Sequence, residues 1–161
     1  MEYELIDNFL DQNQLKKLQS KMFQSSFAWY ISQVIALPNS KRDEYYFTHM
    51  FFDRYKIMSP HIEDLTTVLN NLKIKSLIRI RANLYIRTPK LEKHEFHFDF
   101  PFSHKSALFS LNTNNGYTYF RDGTKIKSVE NRMLLFDASK EHASSTCTDQ
   151  HYRCNIIFNY F

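Results

Sequence analysis

The sequence predicts an α+β fold that is mainly β, a jelly roll or β-sandwich with helices packed outside it. Three observations carry this. Before residue 76 apolar residues recur at helical spacing, from Ser76 onward the period falls to two, and the alternating segments are separated by turn signals at NNG (114–116), DG (122–123) and ENR (130–132).

The first helix is read from DQNQLKKLQSKMF, where Asp11 can cap with Gln14 three places on and Leu15, Leu18 and Met22 share one stripe. A second is announced by Ser59 as cap and Pro60 at its first position, with Ile62, Leu65, Leu69 and Leu72 as its buried face. Between them NSKRDEYYFTHMFFDRY is polar, then aromatic, and has no clear period. It reads as mixed strand and loop, with 39–56 as a possible lid.

In LIRIRANLYIR, Ile78, Ile80, Ala82, Leu84 and Ile86 face one way and Arg79, Arg81, Asn83, Tyr85 and Arg87 the other, so this is a strand. Further strands are expected at EFHFDF, SALFSLN, YTYFR, TKIKS, RMLLF and HYRCNIIFNYF. A chain of 161 residues suits a single domain spanning 1–161, since that length buries roughly two-thirds of its unfolded surface. Residues 1–75 form its helical front and 76–161 its β core.

Composition narrows the class. Hydrophobic residues are 43% and aromatics 16%, with 15 Phe and 10 Tyr against 2 Gly, which describes an aromatic-packed globule rather than a disordered chain. A net charge of +4 suits small anions but is too mild to announce nucleic-acid binding. No signal-like segment opens the chain and no apolar run reaches membrane-spanning length, so a cytoplasmic protein with no membrane partner is expected. Cys147 and Cys154 then read as free thiols, with Cys154 buried on the face opposite Arg153.

The chemistry concentrates at HEFHFDF (94–100). His97 and Asp99 are two apart in an extended segment, so both side chains project to one face and can converge on one ion, with Phe96, Phe98 and Phe100 behind them. His61 and Glu63 have the same spacing but sit in a helix, where it points them apart. HEFH is one spacer short of the zinc-protease motif and is not in helical sequence. Later in the chain SKEHASST supplies His142, and HYRCNIIFNYF carries Arg153 and Asn155 on one polar face. Two histidines and a carboxylate suit a non-haem iron(II) triad with open coordination positions, and a guanidinium offers a planar fork for a carboxylate.

At these residues the chain resembles the 2-oxoglutarate- and iron(II)-dependent dioxygenases: H-F-D at 97–99, then His142, then Arg153 eleven positions on. The segments RIRANLYIR, ALFSLNTNNGYTYFRDGTKI and NRMLLFDASKEHASST are similar to prolyl-4-hydroxylase-like members encoded by marine bacteriophages, and EYELIDNFLD looks like their usual start. The resemblance implies a double-stranded β-helix, a cupin-like jelly roll. It implies Fe(II) held by His97, Asp99 and His142, with 2-oxoglutarate paired through its distal carboxylate to Arg153 and contacted by Tyr85, and with Asn83 a weaker candidate for the same role. Asn155 stands where many relatives have Ser or Thr and is a further candidate contact. O2 is the second co-substrate, and ascorbate is an expected reductant.

The implied reaction hydroxylates a C–H bond of a protein side chain, peptide or small molecule and releases succinate and CO2. Alternatives are oxidative demethylation of nucleic-acid bases, which Asn83-x-Tyr85 and Arg153-x-Asn155 also match, and a non-catalytic jelly-roll binding module. The demethylases usually have a second arginine six positions after the first, and residue 159 is Asn. If phage-encoded, the protein would work in the host cytoplasm. His94 and His104 read as solvated loop residues, His49 and His151 as without a site role, and Trp29 as core.

Overall fold

A computed structural model describes residues 2–33 and 45–161. Along the described residues the elements are β1 (Tyr3–Ile6), α1 (Gln12–Met22), β2 (Tyr30–Ser32), β3 (Tyr46–Asp53), β4 (Lys56–Ile57), a 3-10 segment (Pro60–Leu65), α2 (Thr66–Leu72), β5 (Leu77–Ile86), β6 (Lys105–Ser110), β7 (Tyr117–Phe120), β8 (Lys125–Lys127), β9 (Arg132–Asp137), β10 (His142–Ser144) and β11 (Tyr152–Tyr160).

Helix α1 starts as its sequence predicts. Asp11 accepts from the Gln14 amide at 2.8 Å while the Gln14 side chain accepts from the Asp11 amide at 3.2 Å, so two otherwise unpaired N–H groups are satisfied reciprocally. Ser59 caps the second helical region through the His61 amide, but the chain from Pro60 to Leu65 is 3-10, and α-helix begins only at Thr66. In a 3-10 turn residues three apart eclipse, and His61 uses this to bond Asp64 at 3.0 Å. Its decoy partner Glu63 is not part of any metal-competent cluster among the described residues.

Two antiparallel sheets face each other. The larger has the order β1-β9-β6-β11-β5-β3-β2, with β4 on β3, and the smaller the order β10-β7-β8. The outer face of the large sheet is apolar and lies under the helices: Ile80, Ala82, Phe109, Met133, Ile156 and Phe158 are buried with Leu15, Leu18, Met22, Leu65 and Val68. Burying such faces at roughly 25 cal/mol per Å² supplies the main drive to this architecture. Between the sheets, Leu108, Leu134, Phe136 and Ile157 form a second cluster with Phe120 and Ile126. The rest of that inner space is polar and holds the site. Cys147 and Cys154 are both buried free thiols.

Three expectations change. EFHFDF is not a regular strand: its contacts are isolated bridges, Lys93 to Ser145 and His97 to His142. Asp99 is drawn onto the large sheet by hydrogen bonds from Arg79 and Asn159, which turns the segment away from a continuous ladder with the small sheet. The phenylalanines do not form one buried layer either. Phe98 is 52% exposed, Phe96 stands edge-on to Tyr119, and Phe100 lies under the Arg79 guanidinium. Of the possible lid at 39–56, residues 39–44 lie outside the described residues; Tyr46–Asp53 is a strand paired with β5 and β2.

Candidate metal and co-substrate site

His97, Asp99 and His142 offer ligand atoms that all lie within 4.8 Å of one another. Backbone pairing creates this convergence across 45 residues of chain. His97 N–H donates to His142 O at 3.0 Å and His142 N–H to His97 O at 3.2 Å, which sets the two rings 4.8 Å apart between centroids. Asp99, two residues on, brings Oδ2 to 3.8 Å from His142 Nε2. Each imidazole has its Nδ1 3.2 Å from a backbone carbonyl, Glu95 O for His97 and Lys140 O for His142. A proton held there leaves Nε2 as the lone-pair nitrogen, the tautomer a metal ligand needs.

The carboxylate is held from the large sheet. Arg79 donates to Asp99 Oδ1 at 2.6 Å, Asn159 donates to Oδ2 at 2.8 Å, and Arg79 also donates to Asn159 Oδ1 at 3.1 Å. Burial pushes the Asp99 carboxyl up, but Arg79, His142 and Asn159 together outweigh it and hold the group well below the usual carboxylate range. His97 is lowered, chiefly by burial and then by His142, with Asp99 opposing. His97 is thus biased toward the neutral imidazole and Asp99 toward the ionised carboxylate, the protonation states metal binding requires.

Strand β11 carries the other end of the site. Register pairs Arg153 with Tyr85, Asn155 with Asn83 and Asn159 with Arg79, so alternate residues of both strands line one wall. Arg153 is 1% exposed and donates to Ser128 Oγ at 2.7 Å, Thr118 Oγ1 at 3.0 Å and Ser145 O at 3.2 Å. All three partners are neutral, and no ion pair of Arg153 occurs among the described residues. Burial lowers its pKa, yet a guanidinium stays charged, so a buried cation of this kind fits an incoming carboxylate. The Tyr85 ring lies against Arg153 at 5.5 Å and stacks on Tyr46 at 5.2 Å.

Asn83 and Asn155 hydrogen-bond each other at 3.1 Å, and Asn83 Oδ1 has no further partner. Turning both amides over keeps their bond and presents Asn83 Nδ2–H outward, the orientation a carboxylate oxygen accepts. Asn83, Tyr85, Asn155, His97, Asp99 and His142 all border one cavity, together with Arg81 and Thr118. The site therefore pairs a three-ligand cluster with a neighbouring buried cation that has no counter-ion among the described residues, the two features a metal with a dicarboxylate needs.

Several participants were not anticipated. Arg79 belongs to the polar face read from the alternation, but its partner Asp99 is distant in sequence. In the sequence Asn159 signals only the absence of a second arginine. Ser128 and Thr118, which hold Arg153, carry no motif. His94 and His104 are both 4% exposed, not solvated as expected. His94 bonds Ser144 Oγ at 2.6 Å and packs 5.1 Å from the Tyr85 ring, while His104 bonds Phe102 O at 2.9 Å and its Nε2 is 3.4 Å from Asn159. Both histidines are buried against residues of the site, His94 behind Tyr85 and Ser144 and His104 beside Asn159, without lining the cavity themselves. His49 is also buried, between Ala28 O and Ser59 Oγ, whereas His151 is exposed.

No protein-family model and no curated protein matches the sequence. Solved structures do match. A viral collagen prolyl hydroxylase from Paramecium bursaria Chlorella virus-1, in complex with 2-oxoglutarate, superposes with a TM-score of 0.66 at 14% identity, covering 98% of this chain and 94% of that one. A prolyl hydroxylase from Trichoplax adhaerens, in complex with a hypoxia-inducible-factor peptide, gives 0.68 at 13% identity over 98% and 83%. An oxidoreductase of the 2-oxoglutarate–Fe(II) oxygenase family from Burkholderia pseudomallei gives 0.68 at 12% identity over 98% and 84%. The chain has the jelly-roll fold of these oxygenase structures.

Proposed function

We propose that the protein is a 2-oxoglutarate- and Fe(II)-dependent oxygenase, a single catalytic domain over 1–161 that hydroxylates a C–H bond of a protein side chain or small molecule. The observation that carries this is the convergence of His97, Asp99 and His142 on the cavity beside which Arg153 is buried with no counter-ion among the described residues. The likeness to prolyl hydroxylase structures supports the reaction class.

His97, Asp99 and His142 would hold Fe(II), leaving coordination positions open. When bound, iron with 2-oxoglutarate and O2 supplies the oxidising chemistry, and the co-substrate leaves as succinate and CO2. The chain's own work is placement. Arg153 receives the distal carboxylate of 2-oxoglutarate, held in position by Ser128, Thr118 and Ser145. Tyr85 lies along the guanidinium, and Asn83 and Asn155 flank the same path. Arg79 and Asn159 keep Asp99 ionised and fix its orientation. The buried wall of β5 and β11 excludes water, which strengthens each of these charge-assisted contacts.

Protein or small-molecule hydroxylation is favoured over nucleobase demethylation. Asn159 stands where demethylases usually have their second arginine, and it acts with Arg79 on Asp99. No described helix is long and apolar enough to cross a membrane. A phage-encoded member would act in the host cytoplasm, with ascorbate as reductant.

The test is succinate release from 2-oxoglutarate under air with Fe(II) and ascorbate, alone and with peptides, nucleosides or methylated DNA. The reading expects turnover that Asp99→Ala abolishes, stimulated by a peptide or small molecule. Turnover unaffected by Asp99→Ala, or stimulated by methylated DNA alone, contradicts it.

A further inference from the structure

We infer that Arg81 is a substrate-recognition residue and that the primary substrate carries a carboxylate. This rests on the oxygenase reading and deepens it. Arg81 lies on the inner wall of β5, two residues from Arg79 on one side and from Asn83 on the other, and borders the same cavity as the triad. Arg79 is committed to Asp99, and Arg153 is walled in by Ser128, Thr118 and Ser145. Arg81 has neither kind of tie. Its Nε is buried without a hydrogen-bond partner, and no ion pair of Arg81 occurs among the described residues. Its guanidinium carbon lies 6.0 Å from the Tyr46 ring, which supports the side chain without neutralising it.

Charge balance points the same way. Among the described residues Asp99 is the single acidic side chain bordering the cavity. With three guanidinium groups on this wall and a divalent cation in the triad, one carboxylate from the protein and two from 2-oxoglutarate still leave positive charge in excess. Burying that excess is costly unless a further anion arrives with the substrate. A guanidinium edge with a free Nε–H matches the two oxygens of a carboxylate, and its place beside the triad brings a group attached to that carboxylate near the open coordination positions.

The test uses full-length protein loaded with Mn(II) and saturating 2-oxoglutarate, with acetate as carboxylate probe and acetamide as its neutral counterpart. Paramagnetic relaxation of the methyl protons reports approach to Mn(II). Acetate is expected to relax strongly and acetamide weakly, and Arg81→Met is expected to weaken acetate binding about tenfold or more, leaving 2-oxoglutarate affinity nearly unchanged. If Arg81→Met does not fold, Arg81→Lys, which keeps the charge and loses the fork, is expected to weaken acetate several-fold. N-acetyl-aspartyl amide as a second probe separates a peptide side chain from a small free acid. Equal relaxation of acetate and acetamide overturns the inference, as does acetate binding that ignores the substitution. Loss of 2-oxoglutarate affinity in Arg81→Met also overturns it, by making Arg81 a co-substrate ligand. Absence of Mn(II)-dependent 2-oxoglutarate binding in the unsubstituted protein is seen before any probe is added, and marks failure of the oxygenase reading instead.

Discussion

Arg79 and Asn159 stand opposite each other across the β5–β11 pairing and close on the two oxygens of one carboxylate, Asp99, at 2.6 and 2.8 Å. Strand register, not the loop that carries Asp99, therefore sets where the proposed metal ligand points. Asn159→Leu removes one donor and leaves the fold's apolar face untouched. Manganese affinity by titration calorimetry is expected to fall about tenfold to a hundredfold, with Arg79→Lys milder than Arg79→Met. Unchanged affinity in Asn159→Leu would show that the clasp does not orient the ligand.

The metal-free protein should lose stability in mild acid. His97 has its pKa lowered from 6.5 by burial and by His142, and His49 is lowered by burial, so both resist protonation in the folded state. Below about pH 6.5 the unfolded chain takes up protons that the folded chain refuses, so this stability is full above that pH and declines below it. Melting temperature measured from about pH 8 to pH 5 should fall on the acid side, and His97→Asn should flatten part of that slope. An acid slope identical in His97→Asn would contradict the assignment.

Arg153→Met separates binding from folding. A charge-assisted pair contributes roughly 1.5–3 kcal/mol, so 2-oxoglutarate binding should weaken by about tenfold to a hundredfold. Because the substitution removes a buried cation whose described partners are all neutral, the ligand-free melting temperature should hold or rise. Calorimetry with 2-oxoglutarate and a thermal melt of the same sample check both halves.

Gly116 tests how tightly the arginine is held. A Cβ there would lie 2.6 Å from Thr146 O, 2.7 Å from Arg153 Cδ and 2.8 Å from Asn114 Oδ1. The carbonyl is fixed by backbone, so the arginine stem must move. Gly116→Ala is expected to cost about 1–3 kcal/mol of stability and to weaken 2-oxoglutarate more than manganese. Equal loss for both ligands would mean that the strain spreads beyond Arg153.

Much of this architecture is legible in the chain because period-two alternation survives wherever a strand has one apolar face, as in Leu77–Ile86. The capping box at Asp11 and Gln14 likewise announces α1 directly. The His97, Asp99, His142 and Arg153 set is recognisable from order and spacing. What could not be read depends on tertiary pairing. The Asn159 role requires its register against Arg79, and burial of His94 and His104 requires their loops to pack against Tyr85, Ser144 and Asn159. EFHFDF alternates like a strand, yet Asp99 finds its donors on the large sheet and the backbone follows. Short segments such as β1, β2 and β10 carry too few residues for a period to register.

The proposed function rests on the joining, at one cavity, of a three-ligand metal centre to the buried Arg153. Titration of 2-oxoglutarate with and without Mn(II), in the unsubstituted protein and in Asp99→Ala, tests it most directly. Tight binding is expected only when Mn(II) is present, with loss of that metal dependence in Asp99→Ala. Binding equally strong without metal, or undiminished by Asp99→Ala, would contradict it.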